Sequence, residues 1–396
     1  MSLRVIEKLV SGKTPRQIHE EHGIDFGFYG SKVSLNYNQI ESKSSDVLAS
    51  ECRGTIICNK DGKPLGLDIP ITEPVLLARP FSRFFNLGDP VAFSQHINID
   101  DIAYTKYDGT LIIVYYDEIV RKDWCVATRS VPEANQRIQH DFYDGSFRDL
   151  FEEILRVKGI PFDKLTQRLS VKHTYAFELV SEYNKQVCEY SKPDIFLLAC
   201  IETQTGEEYL IETLDFPKEI EKAKTIPIED HEKMIEYIES LPPSQSEGIV
   251  LVKRDGDRII GRIKIKSTDY KNAHGMKSSI ESSKRNIVSL VLNEKWDDVR
   301  SLASAKALEF GDSIGDKITA KSKEIEEVIN KSIEIGNGDR KATALAAKEI
   351  NVNYITFVMM KFDNKWNGYL NYIKSSKKNG LDYPDKMLDS IIAYCN

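Results

Sequence analysis

A short segment near the middle of the chain, Lys-Tyr-Asp-Gly-Thr at 106–110, could present a nucleophile. Lys106 precedes a strongly β-forming run at 111–116, and the Asp-Gly pair is a tight-turn signal. A lysine at a strand edge beside a turn can be held toward a pocket, where its amine can form a covalent intermediate. The Lys-x-Asp-Gly pattern alone is weak, because the chain repeats it at 253–256. That second copy separates two β-rich runs and predicts a hairpin turn, so substitution of Lys253 should leave the chemistry nearly unchanged.

Other charged residues support the first copy of the pattern. Glu178 lies within a short β-rich run, and Glu247-Gly248 opens another. Lys264 and Lys266 alternate with two isoleucines, which places both ammonium groups on one face of a strand. Two lysines on one face would form a cationic wall of a pocket, and a solvated strand face is the alternative reading of the same spacing.

Upstream, arginine and aromatic residues cluster before the candidate nucleophile. Arg53 leads into a β-rich run, and Arg-Pro-Phe-Ser-Arg-Phe-Phe-Asn occupies 79–86. Such a cluster could stack on a base or clamp a phosphate. Packing of the phenylalanines into a core is the alternative.

These residues fall in a region with the pattern of an antiparallel α+β domain. Helices are expected at 147–157 and 231–240, and Gly311 is expected to separate two helices within a later all-helical region. We therefore predict a domain at 1–277 and a helical domain at 278–396. The β-rich runs lie at 54–58, 111–116, 124–128, 174–180, 195–201, 248–253 and 259–265.

Composition limits the class of protein. The 396 residues are enough for two or three domains, and 41% hydrophobic with 29% charged residues is ordinary globular composition. Six scattered cysteines without a Cys-x-x-Cys pair argue against a zinc ribbon or disulfide scaffold and predict a reducing cytoplasm. No apolar run approaches the roughly 20 residues of a transmembrane helix. The net charge of −7 does not favour wholesale electrostatic binding to nucleic acid, but it is compatible with a local basic cleft.

Six motifs in order resemble the covalent nucleotidyltransferase superfamily of ligases and capping enzymes. Within it, the chain is most similar to the phage-type ATP-dependent RNA ligases of the first, tRNA-repair family. The resemblance spans about residues 35–275 and implies an antiparallel-sheet nucleotidyltransferase (ATP-grasp-like ligase) domain. The all-helical C-terminal region fits that family in size and type, as a domain for RNA-substrate recognition, but carries no motif. The motifs are ECRG, RPFSRFFN, KYDGT, AFELV, EGIV and RIKIKS.

The resemblance implies a three-step reaction. Lys106 would attack the α-phosphorus of ATP, giving a lysyl–AMP and releasing pyrophosphate. The AMP would pass to an RNA 5′-phosphate, and an RNA 3′-hydroxyl would then displace it. Expected partners are such RNA ends, cleaved tRNA among them, with no membrane. A monomer in the cytoplasm, the host's if the source is a virus, is expected.

The resemblance also assigns residues. Glu178 would serve the ribose or metal region, Glu247 the metal and acid–base chemistry, and Lys264 and Lys266 the α-phosphate. The two lysines would also disfavour the protonated form of Lys106, whose ordinary pKa is about 10.4. Mg²⁺ or Mn²⁺ would be held, through water, by Asp108, Glu178 and Glu247. The implied nucleotide-binding set is Arg53, Arg83, Phe85, Lys106, Asp108, Gly109, Arg129, Glu178, Glu247, Gly248, Lys264 and Lys266.

Two positions depart from the family pattern. Arg83 and Arg129 stand where the family often has lysine, and a planar guanidinium is not equivalent to a point-like ammonium.

Alternatives to an RNA ligase are a DNA ligase or RNA guanylyltransferase, and a non-catalytic RNA-binding relative. Helices in place of an oligonucleotide-binding barrel after Lys266 disfavour the first two. Chemically competent residues at the catalytic positions disfavour the last.

Overall fold

The chain divides into two compact units. One contains Met1–Asn38 and Ser42–Met276, and the other contains Gln39–Glu41 and Lys277–Asn396. The boundary predicted between 277 and 278 lies outside the described residues. The computed structural model describes residues 3–93, 96–98, 100–138, 140, 142–184, 188–227, 230–242, 245–273, 284–300, 303, 305–377 and 383–395.

The first unit begins with two short helices packed on a four-stranded antiparallel sheet of order β1-β2-β3-β4. Helix α2 starts at a capping box in which Thr14 and Gln17 exchange hydrogen bonds, and it ends at Gly23 in the left-handed conformation. The elements are α1 (Arg4–Val10), α2 (Pro15–His22), β1 (Ile24–Tyr29), β2 (Lys32–Tyr37), α3 (Val47–Glu51), β3 (Arg53–Asn59) and β4 (Pro74–Ala78).

Two five-stranded sheets form the rest of this unit, in the orders β11-β10-β9-β7-β8 and β12-β6-β13-β14-β5. Their pairs are antiparallel except β10–β11 and β5–β14. The strands are β5 (Phe85–Asn86), β6 (Ile102–Lys106), β7 (Thr110–Asp117), β8 (Asp123–Thr128), β9 (His173–Val180), β10 (Asp194–Glu202), β11 (Glu221–Lys222), β12 (Thr225–Ile226), β13 (Gly248–Asp255) and β14 (Arg258–Lys266).

Helices cover one face of each of these sheets. Helix α4 (Phe147–Val157) begins at a capping box between Ser146 and Asp149 and buries its apolar face in the core over β7 to β10. Helix α6 (His231–Ser240) packs Met234 and Ile238 against the apolar face of β6, β13 and β14. Short helices α5 (Phe162–Thr166) and α7 (Thr268–Ala273) complete the unit.

The predicted fold class is confirmed. Each predicted β-rich run lies within a strand of the structure, and the two predicted helices at 147–157 and 231–240 have those bounds. The Asp255-Gly256 pair of the second Lys-x-Asp-Gly lies at the turn of the β13–β14 hairpin, as predicted. Among the described residues, no helix is both long enough and apolar enough to cross a membrane.

The second unit is helical. Its helices are α8 (Lys284–Leu292), α9 (Trp296–Val299), α10 (Ala305–Gly336), α11 (Arg340–Asn351), α12 (Ile355–Phe362), α13 (Tyr369–Ser375) and α14 (Asp385–Cys395). The predicted break at Gly311 is wrong, because α10 runs through that position. A Cβ there would lie 2.1 Å from the Trp296 ring, so this glycine serves close packing of the indole on the helix.

Candidate active site

Three strand ends meet around one carboxylate. Lys106 ends β6, Gly248 begins β13 and Lys266 ends β14, and Gly248 is paired in register with both lysines. Glu247 precedes that glycine, and its two oxygens contact different amines. Lys106 Nζ lies 2.5 Å from Glu247 Oε2, and Lys266 Nζ lies 2.7 Å from Oε1. The sheet therefore holds the two lysines on one buried carboxylate.

Backbone contact at Gly248 sets this geometry. Its φ is +140°, and a Cβ built there would lie 2.0 Å from the Ile265 carbonyl oxygen and 2.8 Å from the Lys266 Cα. A side chain would therefore push β13 away from β14 at the point where Glu247 forms an ion pair with Lys266. Glycine is required at this position because the backbones of β13 and β14 come too close together there to leave room for a side chain.

Glu178 approaches the first Lys-x-Asp-Gly turn from β9. Its Oε1 accepts a hydrogen bond from the Gly109 backbone N–H at 3.1 Å. A Cβ on Gly109 would lie 2.2 Å from the Leu179 carbonyl oxygen, so glycine permits this close approach. The turn that follows Lys106 is thus fixed against the strand that carries Glu178.

The two glutamates have opposite pKa shifts. Burial raises the pKa of Glu178 to about 7, helped by the charge of Glu247 and opposed by Lys106, Arg53 and the Gly109 hydrogen bond. Burial also acts to raise the pKa of Glu247, but the charges and hydrogen bonds of Lys106 and Lys266 outweigh it and lower that pKa. Near neutral pH, Glu247 is ionised while Glu178 is part-protonated.

Asp108 is engaged by the surrounding chain. Its Oδ2 accepts the Cys188 backbone N–H at 2.9 Å, and its own N–H donates to the Tyr190 hydroxyl at 2.8 Å. The Tyr270 hydroxyl also hydrogen-bonds the Asp108 side chain, and the Tyr270 ring lies 5.5 Å from Lys266 Nζ. Asp108 therefore ties the turn after Lys106 to the chain that follows β14.

Arg53 is a half-buried cation whose guanidinium lies against two aromatic rings. Its guanidinium lies 4.8 Å from the centre of the Phe81 ring and 5.7 Å from that of Phe84. Burial lowers its pKa to about 10. Within the described part of the chain, its buried Nη1 has no hydrogen-bond partner. A buried donor without an acceptor is costly unless a ligand supplies one, so this position suits an anion.

Arg83 and Arg129 converge on one ring that sequence analysis missed. The Arg83 and Arg129 guanidinium carbons lie 4.3 Å and 4.5 Å from the centre of the Tyr37 ring. Arg83 also lies 4.7 Å from the Phe85 ring, and Arg129 donates to the Asn36 side chain at 3.2 Å. Tyr37 ends β2 and belongs to no motif, so only the fold could identify it.

The alternation on β14 separates apolar from cationic side chains. Ile263 and Ile265 are buried in the core with α6, while Lys264 is half-buried and Lys266 is buried against Glu247. The structure therefore brings together Lys106, Lys266, Glu247 and Glu178, with Arg53 close enough to affect the pKa of Glu178.

Lys253, in the second Lys-x-Asp-Gly, has a different environment. Its ammonium lies 2.5 Å from Asp101 Oδ2 and also contacts the His96 carbonyl oxygen, and both charged side chains are about 5% exposed or less. This lysine is an internal ion-pair partner.

Lys253→Ala should lower the free energy of unfolding by about 3–5 kcal/mol, because it leaves the buried Asp101 carboxylate without a counter-charge. Denaturant unfolding measures this loss. The double variant Lys253→Met with Asp101→Leu should recover most of it. An unchanged stability for the single variant would mean that the pair contributes nothing.

Comparison with known proteins identifies the family. Residues 51–270 match the sequence profile of a family described as RNA ligase. The chain belongs to this RNA ligase family. An RNA ligase of Rhodothermus phage RM378 is 24% identical over 350 residues, which cover 74% of this chain and 76% of the phage protein.

Solved RNA ligases are also similar. An archaeal ATP-dependent RNA ligase aligns over 83% of each chain with 12% identity and a TM-score of 0.44. A Naegleria gruberi RNA ligase variant solved with ATP and Mn aligns over 44% of this chain and 52% of its own length, with 13% identity and a TM-score of 0.32. The segment of this RNA ligase family member that matches the family profile includes every predicted site residue, from Arg53 to Lys266.

Proposed function

We propose that this protein is an ATP-dependent RNA ligase that joins RNA 3′-hydroxyl and 5′-phosphate ends. The observation that carries the proposal is the bridge made by Glu247 between Lys106 and Lys266 at three strand ends. The Lys106 side chain is 20% exposed and can reach a substrate, whereas the Lys266 side chain is 7% exposed and supplies a fixed positive charge. One amine is thus placed to react beside another placed to stabilise an anion.

The chemistry follows from these placements. Lys106 Nζ forms a bond to the α-phosphorus of ATP while the bond from that phosphorus to pyrophosphate breaks. The ammonium must lose a proton first, and Glu247 Oε2 lies 2.5 Å away to accept it. The AMP then moves to the RNA 5′-phosphate, which regenerates Lys106. Attack by the RNA 3′-hydroxyl finally releases AMP.

Positive charges around the site offset the negative charge of the reacting phosphate. We assign Lys264 and Lys266 to the α-phosphate, and Arg53, with its unpartnered buried Nη1 among the described residues, to another phosphate oxygen. Arg83 and Arg129, stacked on Tyr37, are assigned to the far end of the triphosphate. Gly109 and Gly248 let the backbone approach the nucleotide.

The carboxylates differ in how well they suit a divalent metal. Mg²⁺ or Mn²⁺ takes oxygen ligands and keeps several waters. Within the described part of the chain, Glu178 receives a single hydrogen bond, from Gly109, so it can hold the ion through water. Glu247 has both oxygens on lysines, and Asp108 is hydrogen-bonded to its own chain, so both would first have to change partners. When bound, the ion would reduce the phosphate charge and orient pyrophosphate.

The raised pKa of Glu178 predicts a pH-dependent stability. A carboxyl whose pKa is about 7 in the fold and 4.5 ordinarily contributes stability that is complete below pH 4.5 and is lost as pH rises through 7. Relative to Glu178→Gln, the free energy of unfolding of the wild-type protein without metal should fall by on the order of 2 kcal/mol between pH 5 and 8. The half-buried position of Glu178 keeps this loss below what a fully buried carboxyl would give, because solvent screens part of its charge. Denaturant unfolding at each pH measures the difference.

The control for this prediction uses the proposed metal. Adding Mg²⁺ at pH 8 should stabilise the wild-type protein more than Glu178→Gln, because only the wild type gains a carboxylate ligand. Parallel pH profiles for the two proteins would contradict the raised pKa. Equal metal responses would contradict the assignment of Glu178 as a metal ligand.

We further propose that the helical second unit recognises the RNA, with cleaved tRNA as the substrate in an RNA-repair reaction. Support comes from the family, and from a unit of this size that supplies none of the proposed nucleotide-binding residues. With the full chain, sealing of a tRNA cut in its anticodon loop should proceed with a lower KM than sealing of an unstructured RNA of equal length.

The test of the proposed function is mass spectrometry of the intact protein after incubation with ATP and Mg²⁺, followed by addition of 5′-phosphorylated RNA. A gain of one AMP, lost again when the RNA is added, is expected. GTP should give no adduct. No adduct with ATP, from folded protein freed of bound AMP, would overturn the proposal. An adduct formed with GTP but not with ATP would instead indicate a guanylyltransferase.

A further inference from the structure

Four aromatic side chains form a surface cluster in the first unit, and none of them belongs to the proposed nucleotide-binding set. The ring cluster consists of His140, Phe142, Tyr143 and Tyr183. The Tyr143 and Tyr183 rings are stacked, with their centres 4.8 Å apart. The His140 and Tyr183 rings meet edge to face at 5.2 Å, and the Phe142 ring centre lies 5.9 Å from that of His140. Phe142 is 88% exposed, so the cluster ends in a ring that faces solvent.

The loop between β8 and α4 carries three of these rings. A β-bridge pairs His140 with Tyr143, so the chain reverses direction between them. The Phe142 backbone N–H donates to His140 Nδ1 at 3.2 Å. A Cβ on Gly145 would lie 2.8 Å from the Tyr143 hydroxyl oxygen, so glycine allows the Tyr143 ring to lie against the backbone. The loop is therefore held by its own contacts while the Phe142 ring stays exposed.

The fourth ring connects the cluster to the turn that follows the proposed nucleophile. Tyr183 packs, with Tyr143, against the core over β7 to β10. The next residue, Asn184, donates its side-chain amide to the Thr110 hydroxyl at 2.9 Å. Thr110 begins β7 directly after Gly109 of the first Lys-x-Asp-Gly. The ring cluster is thus fixed to the segment that carries the proposed nucleophile.

The charges around the ring cluster do not favour binding of a phosphate. Arg137, on the same loop, forms an ion pair with Asp144, and Glu182 is exposed next to Tyr183. The rings themselves must therefore supply the binding, and exposed rings favour a flat partner. The bases of single-stranded nucleic acid are flat, have free faces and stack on aromatic side chains whatever their identity.

We propose that the ring cluster binds one base of a single-stranded RNA substrate, stacked on Phe142. The inference rests on the proposed function and gives the RNA strand a holding point on the segment that carries the nucleophile. Because the cluster shares no residue with the set assigned to ATP, formation of the AMP adduct should not depend on it.

Substitution of Phe142 tests the stacking contact on both RNA ends. One KM is measured for the 5′-phosphorylated strand in AMP transfer, and another for the 3′-hydroxyl strand in joining to a pre-adenylated RNA. Phe142→Ala and Phe142→Leu should each raise at least one of these KM values about tenfold, whereas Phe142→Tyr retains a ring and should stay near wild type. The rate of adduct formation from ATP should be unchanged in all three. Thermal unfolding checks that each variant is folded.

Two further measurements separate stacking from other roles of the loop. The slope of log affinity against log salt should be the same for Phe142→Ala and wild type, because loss of a stacked base releases no counterions. An RNA that lacks the stacked base, found by placing an abasic residue at each position near the reacting end in turn, should have the same KM with both proteins.

Three outcomes would overturn the inference. One is wild-type values of both RNA KM measurements in Phe142→Ala, and another is a raised KM for ATP in that variant. The third is a wild-type dimer that dissociates in Phe142→Ala, which would assign the rings to a second copy of the chain. Failure of the wild-type protein to form an adduct would instead overturn the proposed function.

Discussion

Lys106→Ala should reduce formation of the protein–AMP adduct by at least about 10³-fold, because the variant lacks the amine that we propose attacks the α-phosphorus of ATP. Lys266 is buried on the far oxygen of Glu247, and Lys253 is held by Asp101. The variant should remain folded, since Glu247 keeps Lys266 as its counter-charge and Lys106 is the more exposed of the two lysines. Intact mass after incubation with ATP and Mg²⁺ measures the adduct.

The matched control is the lysine of the second Lys-x-Asp-Gly. The folded fraction of Lys253→Ala should form the adduct at a rate close to wild type, although its stability is lower. Lys106→Arg should be as inactive as the alanine variant, because a guanidinium keeps its proton. If Lys253→Ala abolished the adduct while Lys106→Ala did not, the assignment of the nucleophile would be wrong.

The elements that carry these lysines could be predicted because their patterns are local. The β-rich run at 259–265 predicted β14, and the Asp-Gly signal located the hairpin between β13 and β14. The helix at Gly311 could not be predicted in the same way. Its glycine has a strong local preference to break a helix, but contact with Trp296 makes glycine favourable within α10.

The partners of the site residues were less accessible from sequence. Alternation on β14 placed Lys264 and Lys266 on one face, but it could not show that Glu247 binds Lys106 and Lys266 at once, since that depends on the pairing of three strands. The Tyr37 ring is a similar case. Its contacts join it to arginines 46 and 92 positions further along the chain, and no spacing in the sequence encodes them.

Gly248→Ala should have the second-largest effect on adduct formation, because it should displace the two lysines that Glu247 contacts. The added Cβ would lie 2.0 Å from the Ile265 carbonyl oxygen, at a residue with a φ of +140°. Overpacking and the unfavourable backbone conformation together should lower the free energy of unfolding by about 2–5 kcal/mol. Displacement of Lys106 and Lys266 by about 1 Å should slow adduct formation roughly 10²-fold in the folded variant.

The same hairpin supplies the control for this prediction. Gly256, in its turn, also has a positive φ, of +61°, but a Cβ there would have no atom within 4 Å. Gly256→Ala should therefore cost about 1 kcal/mol of stability and leave the rate of adduct formation unchanged. Equal losses of rate in the two variants would mean that general loosening of the hairpin limits the reaction. A loss confined to Gly248→Ala would attribute it to the spacing between β13 and β14 where Glu247 holds the two lysines.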